Sequence, residues 1–222
     1  MAAASVLAVR TPEESAPSQP RIFSQSETIL IFDWDDTILP SSWLAKQGLG
    51  LDEESVVSEA QREELKALEV EAAGTIEEAV RCGEVVLVTN AQAGWIEMSC
   101  AKFFPGLKPV VDKLRVASAR TMYESASLQS PFEWKFHAFS QEIASSVARG
   151  CLNVISVGDS QHEREAIIRA TQGIDEIRTK SLKFVERPEI DQLRRELGLI
   201  RGCLGQVVQH DGNLDLCIRV AV

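Results

Sequence analysis

The sequence predicts an α/β protein in which helices cover both faces of a doubly wound parallel sheet. Three continuous apolar runs, within 28–33, 84–89 and 153–157, are typical of strands that are buried on both faces. Helix-length segments with regularly spaced apolar residues separate these runs. Polar residues follow each run at once, and ligands of such sheets bind at the carboxyl ends of the strands.

The remaining strands are predicted from weaker patterns. Residues 115–119 form a short apolar segment, and 176–185 contains a fifth strand. The Asp211-Gly212 pair predicts a turn, after which we expect an edge strand within 214–220.

Helices are predicted for the segments between the strands. Their ranges are 43–47, 53–81, 93–104, 107–114, 132–149, 163–171 and a long helix that starts at Pro188, since proline is favoured at the first helical position. Gly74 is expected to kink the helix at 53–81 or to divide it in two. Because the segments are only long enough to cross the sheet, the sequence predicts no separate cap domain.

Composition indicates the domain organisation and the class of partner. Residues 1–26 combine three prolines with Ser, Glu and Gln, which predicts a disordered leader before one domain at 27–222. With 23 basic and 33 acidic residues, the net charge of −10 disfavours binding to nucleic acid or to an anionic membrane. The oligomeric state is left open.

The predicted location is the cytoplasm, and the nucleus is equally compatible with the sequence. No apolar run approaches the roughly eighteen residues of a membrane span. The short apolar segment at 2–9 has no basic residue before it and makes a poor signal peptide. The five cysteines contain no CxxC pair, which indicates reduced thiols.

Three carboxylates, Asp33, Asp35 and Asp36, follow the first strand directly. Carboxylates this close disfavour one another's ionisation unless a cation is bound, and oxygen ligands favour a hard ion such as Mg²⁺. A second interpretation is an acidic turn in which Thr37 caps a helix. These residues alone leave both interpretations open.

Matching polar groups occur downstream, at the ends of other predicted elements. The complete set is Asp33-Trp34-Asp35-Asp36-Thr37, Thr89-Asn90, Lys135, and Gly158-Asp159 followed by Glu163. Its order and spacing resemble the motifs of the haloacid dehalogenase (HAD) superfamily of phosphohydrolases. These motifs are Asp-x-Asp-x-Thr after the first strand, Ser or Thr after the second, a later Lys, and Gly-Asp with a further acid. The resemblance covers about 28–185 and implies a Rossmann-like, HAD-type domain without a cap.

The resemblance implies catalytic and phosphate-binding roles. Asp33 corresponds to the nucleophile that forms an aspartyl-phosphate, and Asp35 to the acid that protonates the leaving group and then activates water. Thr89 and the Asn90 amide would hold phosphate oxygens, while Lys135 would offset the charge of phosphate and carboxylate. An acid at position 35 favours hydrolysis over superfamily members that lack one there.

The resemblance also implies a metal site. Mg²⁺ would be held by the Asp33 carboxylate, the Asp35 backbone carbonyl and Asp159. Glu163 and Thr37 would support these ligands through hydrogen bonds.

We therefore expect an Mg²⁺-dependent phosphomonoester hydrolase, that is, a phosphatase, whose phosphorylated substrate is a small molecule or a protein. Members of the superfamily that lack a cap act on exposed or macromolecular phosphates, an analogy that names no substrate. The alternative is a catalytically weak phosphate- or phosphopeptide-binding scaffold with the same fold. His162, Arg164 and Trp95 lie near the motifs in sequence, and each also has an ordinary structural interpretation.

Overall fold

The computed structural model describes residues 21–174 and 176–220. In this part of the chain, a short 3₁₀ helix (Gln25–Glu27) precedes six strands that are connected by eight α-helices. The strands are β1 (Thr28–Asp33), β2 (Glu84–Thr89), β3 (Arg115–Ser118), β4 (Asn153–Gly158), β5 (Arg178–Lys183) and β6 (Leu214–Cys217). The helices are α1 (Ser41–Lys46), α2 (Glu59–Cys82), α3 (Trp95–Phe103), α4 (Lys108–Val111), α5 (Ala119–Tyr123), α6 (Pro131–Val147), α7 (Gln161–Thr171) and α8 (Ile190–Gln209).

The strands form one sheet in the order β3-β2-β1-β4-β5-β6, and every neighbouring pair is parallel. The chain leaves β1 toward β2 and β3, then crosses back and continues through β4 to β6. Such a reversal creates a crevice outside the strand ends, in this case between β1 and β4. The predicted α/β class and the parallel sheet are confirmed, and the arrangement is compatible with a Rossmann-like fold.

Alternate residues of each strand supply two separate cores. In β1, Leu30 and Phe32 face the layer formed by α2, α3 and α8, whereas Ile29 and Ile31 face α6 and α7. All four side chains are fully buried. Continuous apolar runs arise because both faces of these strands are covered.

Two predicted helices begin later than the sequence indicated. α2 starts at Glu59 because the Ser58 hydroxyl accepts a hydrogen bond from the Gln61 N–H in a capping box. The helix then runs through Gly74 without a break, so the predicted division there is wrong. α8 starts at Ile190 after Glu189, and Pro188 therefore precedes the helix instead of opening it.

Other boundaries differ at short elements. The predicted helix at 107–114 contracts to α4, which covers Lys108–Val111. α5 was not among the predicted helices, and its first residue, Ala119, lies in the segment predicted as the third strand. The predicted edge strand exists but ends at Cys217, and it pairs in parallel with β5.

Most of the predicted leader, residues 1–20, lies outside the described residues. Phe23 is buried, and the Gln209 side chain accepts from its N–H at 3.1 Å and donates to its carbonyl at 2.9 Å. Packing against the domain thus includes residues before position 27. Among the described helices, none has both the length and the apolar character needed to cross a membrane.

Candidate functional site

The candidate site lies at the carboxyl edge of the sheet, where the strand order reverses. β1 ends at Asp33, and its two neighbours β2 and β4 end at Thr89 and Gly158. α6 contributes Lys135 and α7 contributes Glu163. The fold therefore brings together polar residues that are up to 130 positions apart in the sequence.

A buried ion triplet of Asp33, Lys135 and Glu163 forms the floor of the site. The Lys135 ammonium contacts Asp33 Oδ1, lies 2.8 Å from Glu163 Oε1, and donates to the Val88 carbonyl at 3.3 Å. The side chains of Lys135, Asp33 and Glu163 are 1%, 6% and 4% exposed. An ammonium has three N–H donors, so all three are used. Lys135 thus offsets the charge of two buried carboxylates.

Local sequence explains how Glu163 reaches the triplet. Ser160 is the N-cap residue of α7. Oε2 of Glu163 accepts hydrogen bonds from the Ser160 N–H at 2.9 Å and from the Ser160 hydroxyl at 2.5 Å, which completes a capping box. The other oxygen, Oε1, is left for Lys135. Gly158 permits this approach, because a Cβ at that position would lie 2.5 Å from Glu163 Cγ.

Asp35 is half-buried at the rim of the site, and three donors fix its carboxylate. Thr89 Oγ1 donates to Oδ2 at 3.0 Å, while Trp95 Nε1 and Ser41 Oγ donate to Oδ1 at 2.9 Å and 2.5 Å. The donors come from β2, α3 and α1. Because they approach from three elements, they hold the carboxylate in one orientation.

Three further predicted residues, Thr37, Thr89 and Asn90, are placed as follows. Thr37 Oγ1 donates to Asp33 Oδ2 at 3.3 Å. The Thr89 hydroxyl, which donates to Asp35, also accepts from the Ala91 N–H at 2.9 Å. The Asn90 side-chain amide donates to the Pro131 carbonyl at 3.1 Å, and its Oδ1 is buried without a hydrogen-bond partner in the described chain.

Asp36 has a structural role in the turn after β1. Its backbone adopts φ 55°, a left-handed conformation that Asp tolerates better than most residues. Its carboxylate accepts from the Ser42 N–H at 2.7 Å and from the Ser42 hydroxyl at 2.5 Å. Asp36 therefore anchors α1 to the strand end.

Burial and mutual repulsion perturb the acids of the site. Burial raises the pKa of Asp33 well above its ordinary value; Lys135 opposes this shift, whereas Glu163, Asp35 and Asp159 increase it. Burial raises the pKa of Asp159 to about 7, and the nearby Glu163 and Asp36 add to the effect.

The pKa values of the other two members of the triplet, Lys135 and Glu163, are shifted in favour of their charged forms. Burial alone would raise the pKa of Glu163, but the Lys135 ammonium and the Ser160 hydrogen bonds outweigh it and lower this pKa to about 2. Burial likewise disfavours the Lys135 ammonium, yet the carboxylates of Asp33 and Glu163 raise its pKa. One lysine thus faces two buried carboxylates, so the triplet carries one negative charge more than Lys135 can neutralise when both acids are ionised.

The residues present fit a divalent cation at this edge. Asp33 and Asp159 belong to adjacent strand ends, and both carboxyl groups have raised pKa values, which a bound cation would lower. The described residues contain no group of three or more His, Cys, Asp or Glu side chains placed to hold a metal. The predicted ligand set requires only two carboxylates, with the Asp35 carbonyl as the third protein ligand.

Some residues near the motifs lie outside the site, and others were missed. Arg164 pairs with Asp215 at 2.5 Å, and the exposed His162 ring lies 6.1 Å from the Phe132 ring. The sequence did not indicate that Ser41 and Trp95 would donate to Asp35. The position of Trp95 after the second motif is compatible with a wall of the site or with core packing, but no local pattern reveals its hydrogen bond to Asp35 across 60 positions.

Comparisons of the chain with protein-family models, with curated proteins and with solved structures gave no match. The class defined by the fold is an α/β protein with helices on both faces of a six-stranded parallel sheet. The resemblance to HAD phosphohydrolases rests on the motifs.

Proposed function

We propose that the protein is a HAD-type, Mg²⁺-dependent phosphomonoester hydrolase that forms an aspartyl-phosphate on Asp33. The observation that carries this proposal is the buried Asp33-Lys135-Glu163 triplet at the β1–β4 crevice, with Asp35 oriented beside it. A structural ion pair has no need of a second, separately oriented acid two residues away.

In the first step, an oxygen of the Asp33 carboxylate attacks the substrate phosphorus, and the bond from phosphorus to the leaving oxygen breaks. The leaving oxygen takes a proton from the Asp35 carboxyl group. Lys135 contacts Oδ1 of Asp33, so Oδ2 is the oxygen that we assign to the attack. Thr37, which donates to Oδ2 at 3.3 Å, orients it.

In the second step, water attacks the phosphorus of the aspartyl-phosphate. Asp35, now ionised, takes the proton of the water, and the Asp33 carboxylate leaves as inorganic phosphate is released. Both steps place charge on phosphate oxygens close to buried acids. When bound by Asp33, Asp159 and the Asp35 carbonyl, Mg²⁺ would offset this charge.

A specific observation supports a second candidate, a phosphate-binding scaffold without turnover. Both oxygens of Asp35 and all three donors of Lys135 are already used within the protein. A phosphate would have to draw the Thr89 hydroxyl away from Asp35. If that exchange does not occur, the site would bind phosphate through the metal and leave Asp35 unable to transfer a proton.

Hydrolysis assays separate the two candidates. We would measure turnover of p-nitrophenyl phosphate, phosphorylated metabolites and phosphopeptides with Mg²⁺ or EDTA, for the wild type and Asp33→Asn. Asp112→Asn is a matched control, because Asp112 pairs with Lys108 on an exposed surface. The phosphatase proposal predicts Mg²⁺-dependent turnover that only Asp33→Asn abolishes. Phosphate binding without turnover of any substrate would support the scaffold instead.

A further inference from the structure

A cleft adjoins the proposed phosphate site at the carboxyl ends of β5 and β6. It has a volume of about 440 Å³, within the size range of small-molecule sites. Gln161, Lys183, Glu186, Cys217 and Arg219 contribute to its lining. Gln161 lies two positions after Asp159, and the Lys183 ammonium donates to the Asp159 carbonyl at 2.8 Å. The cleft therefore lies beside Asp159, one of the proposed metal ligands.

The positive charge of this cleft exceeds what its own acid can neutralise. Lys183 pairs with Glu186 at 3.2 Å, which leaves the Arg219 guanidinium. Arg219 is exposed, and among the described residues no carboxylate pairs with it. Its backbone position is fixed by the preceding residue, since the Ile218 N–H donates to the Lys183 carbonyl at 2.7 Å.

An unpaired arginine is unusual in this chain. The net charge is −10, and most described arginines lie within 3.3 Å of a carboxylate, as Arg164 does with Asp215 and Arg178 with Asp211. A guanidinium that is left free beside a cleft is available to an anionic ligand.

The loop that follows β5 contains a second arginine near the site. Arg187 has φ 51°, a left-handed conformation that costs free energy for a residue with a side chain. Its backbone N–H is close enough to the Asp159 carboxyl group to lower the pKa of that group. Its side chain is exposed and has no carboxylate partner in the described chain. The strained loop thus holds a cationic residue next to the proposed metal ligand.

We propose that this cleft binds a second anionic group of the substrate, so that the preferred substrates are phosphomonoesters carrying a further carboxylate or phosphate. The role as a substrate subsite rests on the proposed phosphatase function, whereas anion binding by the cleft does not. Arg219 would receive the second anion, and Gln161 offers a neutral amide donor at the end of the cleft nearest to Asp159. The acids of the phosphate site would repel such an anion if Arg219 did not offset them.

Substrate pairs that differ in one charge test the inference. 3-Phosphoglycerate carries a carboxylate where glycerol 3-phosphate carries a hydroxymethyl group, and fructose 1,6-bisphosphate carries a phosphate that fructose 6-phosphate lacks. We expect kcat/KM to favour at least one doubly anionic member about tenfold in the wild type. The pair that shows the preference identifies the second group as carboxylate or phosphate.

Two variants locate the effect. Arg219→Gln removes the cation, and Cys217→Glu adds an acid at an exposed position of the cleft. In both variants, kcat/KM should become about equal for the two members of a substrate pair. Arg81→Gln should keep the wild-type preference, because Arg81 pairs with Glu78 at the far end of α2. The inference is overturned if the wild type shows no preference, or if both cleft variants retain it.

Binding measured without turnover separates failure of this inference from failure of the proposed function. We would titrate inorganic pyrophosphate by calorimetry in EDTA, where the metal-free acids at Asp33 and Asp159 repel anions. The wild type and Asp33→Asn should bind pyrophosphate alike, and Arg219→Gln about tenfold more weakly. Equal binding by the wild type and Arg219→Gln, or none by the wild type, would contradict an anion site even if p-nitrophenyl phosphate is hydrolysed.

Discussion

The orientation of Asp35 depends on donors that lie far from it in sequence. Trp95→Phe removes the indole N–H that donates to Asp35 Oδ1 but keeps an aromatic ring. We expect kcat for p-nitrophenyl phosphate to fall roughly tenfold, the effect of losing about 1.4 kcal/mol of positioning. Steady-state kinetics with Mg²⁺ measure this effect.

Trp34→Phe provides the matched control for that change. The Trp34 indole N–H donates to the buried Ser99 hydroxyl at 3.0 Å and not to an acid of the site. Its loss should lower the free energy of unfolding by about 1–2 kcal/mol and leave kcat nearly unchanged. If Trp34→Phe impairs kcat as much as Trp95→Phe, the donor to Asp35 has no special role.

The Lys135 side chain tests the buried triplet independently of any reaction. Lys135→Met leaves the carboxylates of Asp33 and Glu163 buried without a cation. We expect the free energy of unfolding to fall by about 3–5 kcal/mol at neutral pH. The loss should shrink as the pH falls, because the two unpaired acids can then take up protons in the folded state.

Urea denaturation at pH 5 and pH 8 measures this pH dependence. Lys46→Met is the control, since Lys46 and Glu189 form a pair in which both side chains are more than half exposed. Such a pair contributes at most about 1 kcal/mol. A Lys135 variant as stable as the control at both pH values would show that the triplet is not buried as described.

Outside the site, an acid with a perturbed pKa lies where α8 packs against the segment that follows β5. Glu196 is fully buried, its Oε1 accepts two long bonds of 3.4 Å from Val185 and Gln192, and its Oε2 has no partner among the described residues. Burial raises the pKa of Glu196 from 4.5 to about 7, although these bonds and Lys183 oppose the shift. Glu196 therefore resists ionisation at neutral pH.

The sign of the resulting pH dependence follows from this raised pKa. The folded state holds the proton of Glu196 more tightly than the unfolded state, so its stabilising contribution is complete below about pH 4.5 and is lost as the pH rises through about 7. Glu196→Gln places a neutral side chain at this position at every pH. It should therefore remove this pH dependence of the unfolding free energy, which amounts to roughly 3 kcal/mol.

Unfolding free energies at pH 5 and pH 8 test the expectation for Glu196. The difference between the two pH values should be smaller in Glu196→Gln than in the wild type. Glu189→Gln, which alters an exposed side chain, should retain the wild-type difference. An unchanged pH difference in Glu196→Gln would contradict the assigned pKa.

Elements with strong local patterns were predictable from the sequence, and elements fixed by tertiary packing were not. β1 and β2 were found at the residues predicted, because apolar runs next to polar residues define both ends. The sequence left open whether α2 would be one helix or two at Gly74, whereas the structure has one helix, because packing against α8 outweighs the low helix propensity of one glycine. Thr75, beside this glycine, donates to the Leu197 carbonyl of α8 at 3.0 Å.

The site was predictable to a similar extent. Motif order indicated that Asp33, Lys135 and Glu163 would lie together, and the structure brings them into one triplet. Two of the three donors to Asp35, Ser41 and Trp95, were not predictable, because they depend on how the starts of α1 and α3 approach the end of β1. The cleft lined by Lys183 and Arg219 depends on β6 and the loop after β5, where the sequence offers no motif.

For the whole molecule, Mg²⁺ binding should be coupled to stability. A cation that binds only the folded protein stabilises it by about 2.7 kcal/mol at one hundred times its dissociation constant. We expect Mg²⁺ to raise the melting temperature of the wild type and of Asp112→Asn, and to have little effect on Asp159→Asn. Thermal unfolding with Mg²⁺ and with EDTA measures the shift. An equal rise in all three proteins would place the bound Mg²⁺ elsewhere.

The most direct test of the central proposal is capture of the phosphorylated protein. We would mix the protein with Mg²⁺ and any phosphomonoester that it hydrolyses, quench with acid, and analyse the peptide containing Asp33 by mass spectrometry. We expect a phosphate on Asp33 in the wild type, and none in Asp33→Asn or in EDTA. Turnover of the same substrate without phosphate on Asp33, or with phosphate on another residue, would contradict the proposal.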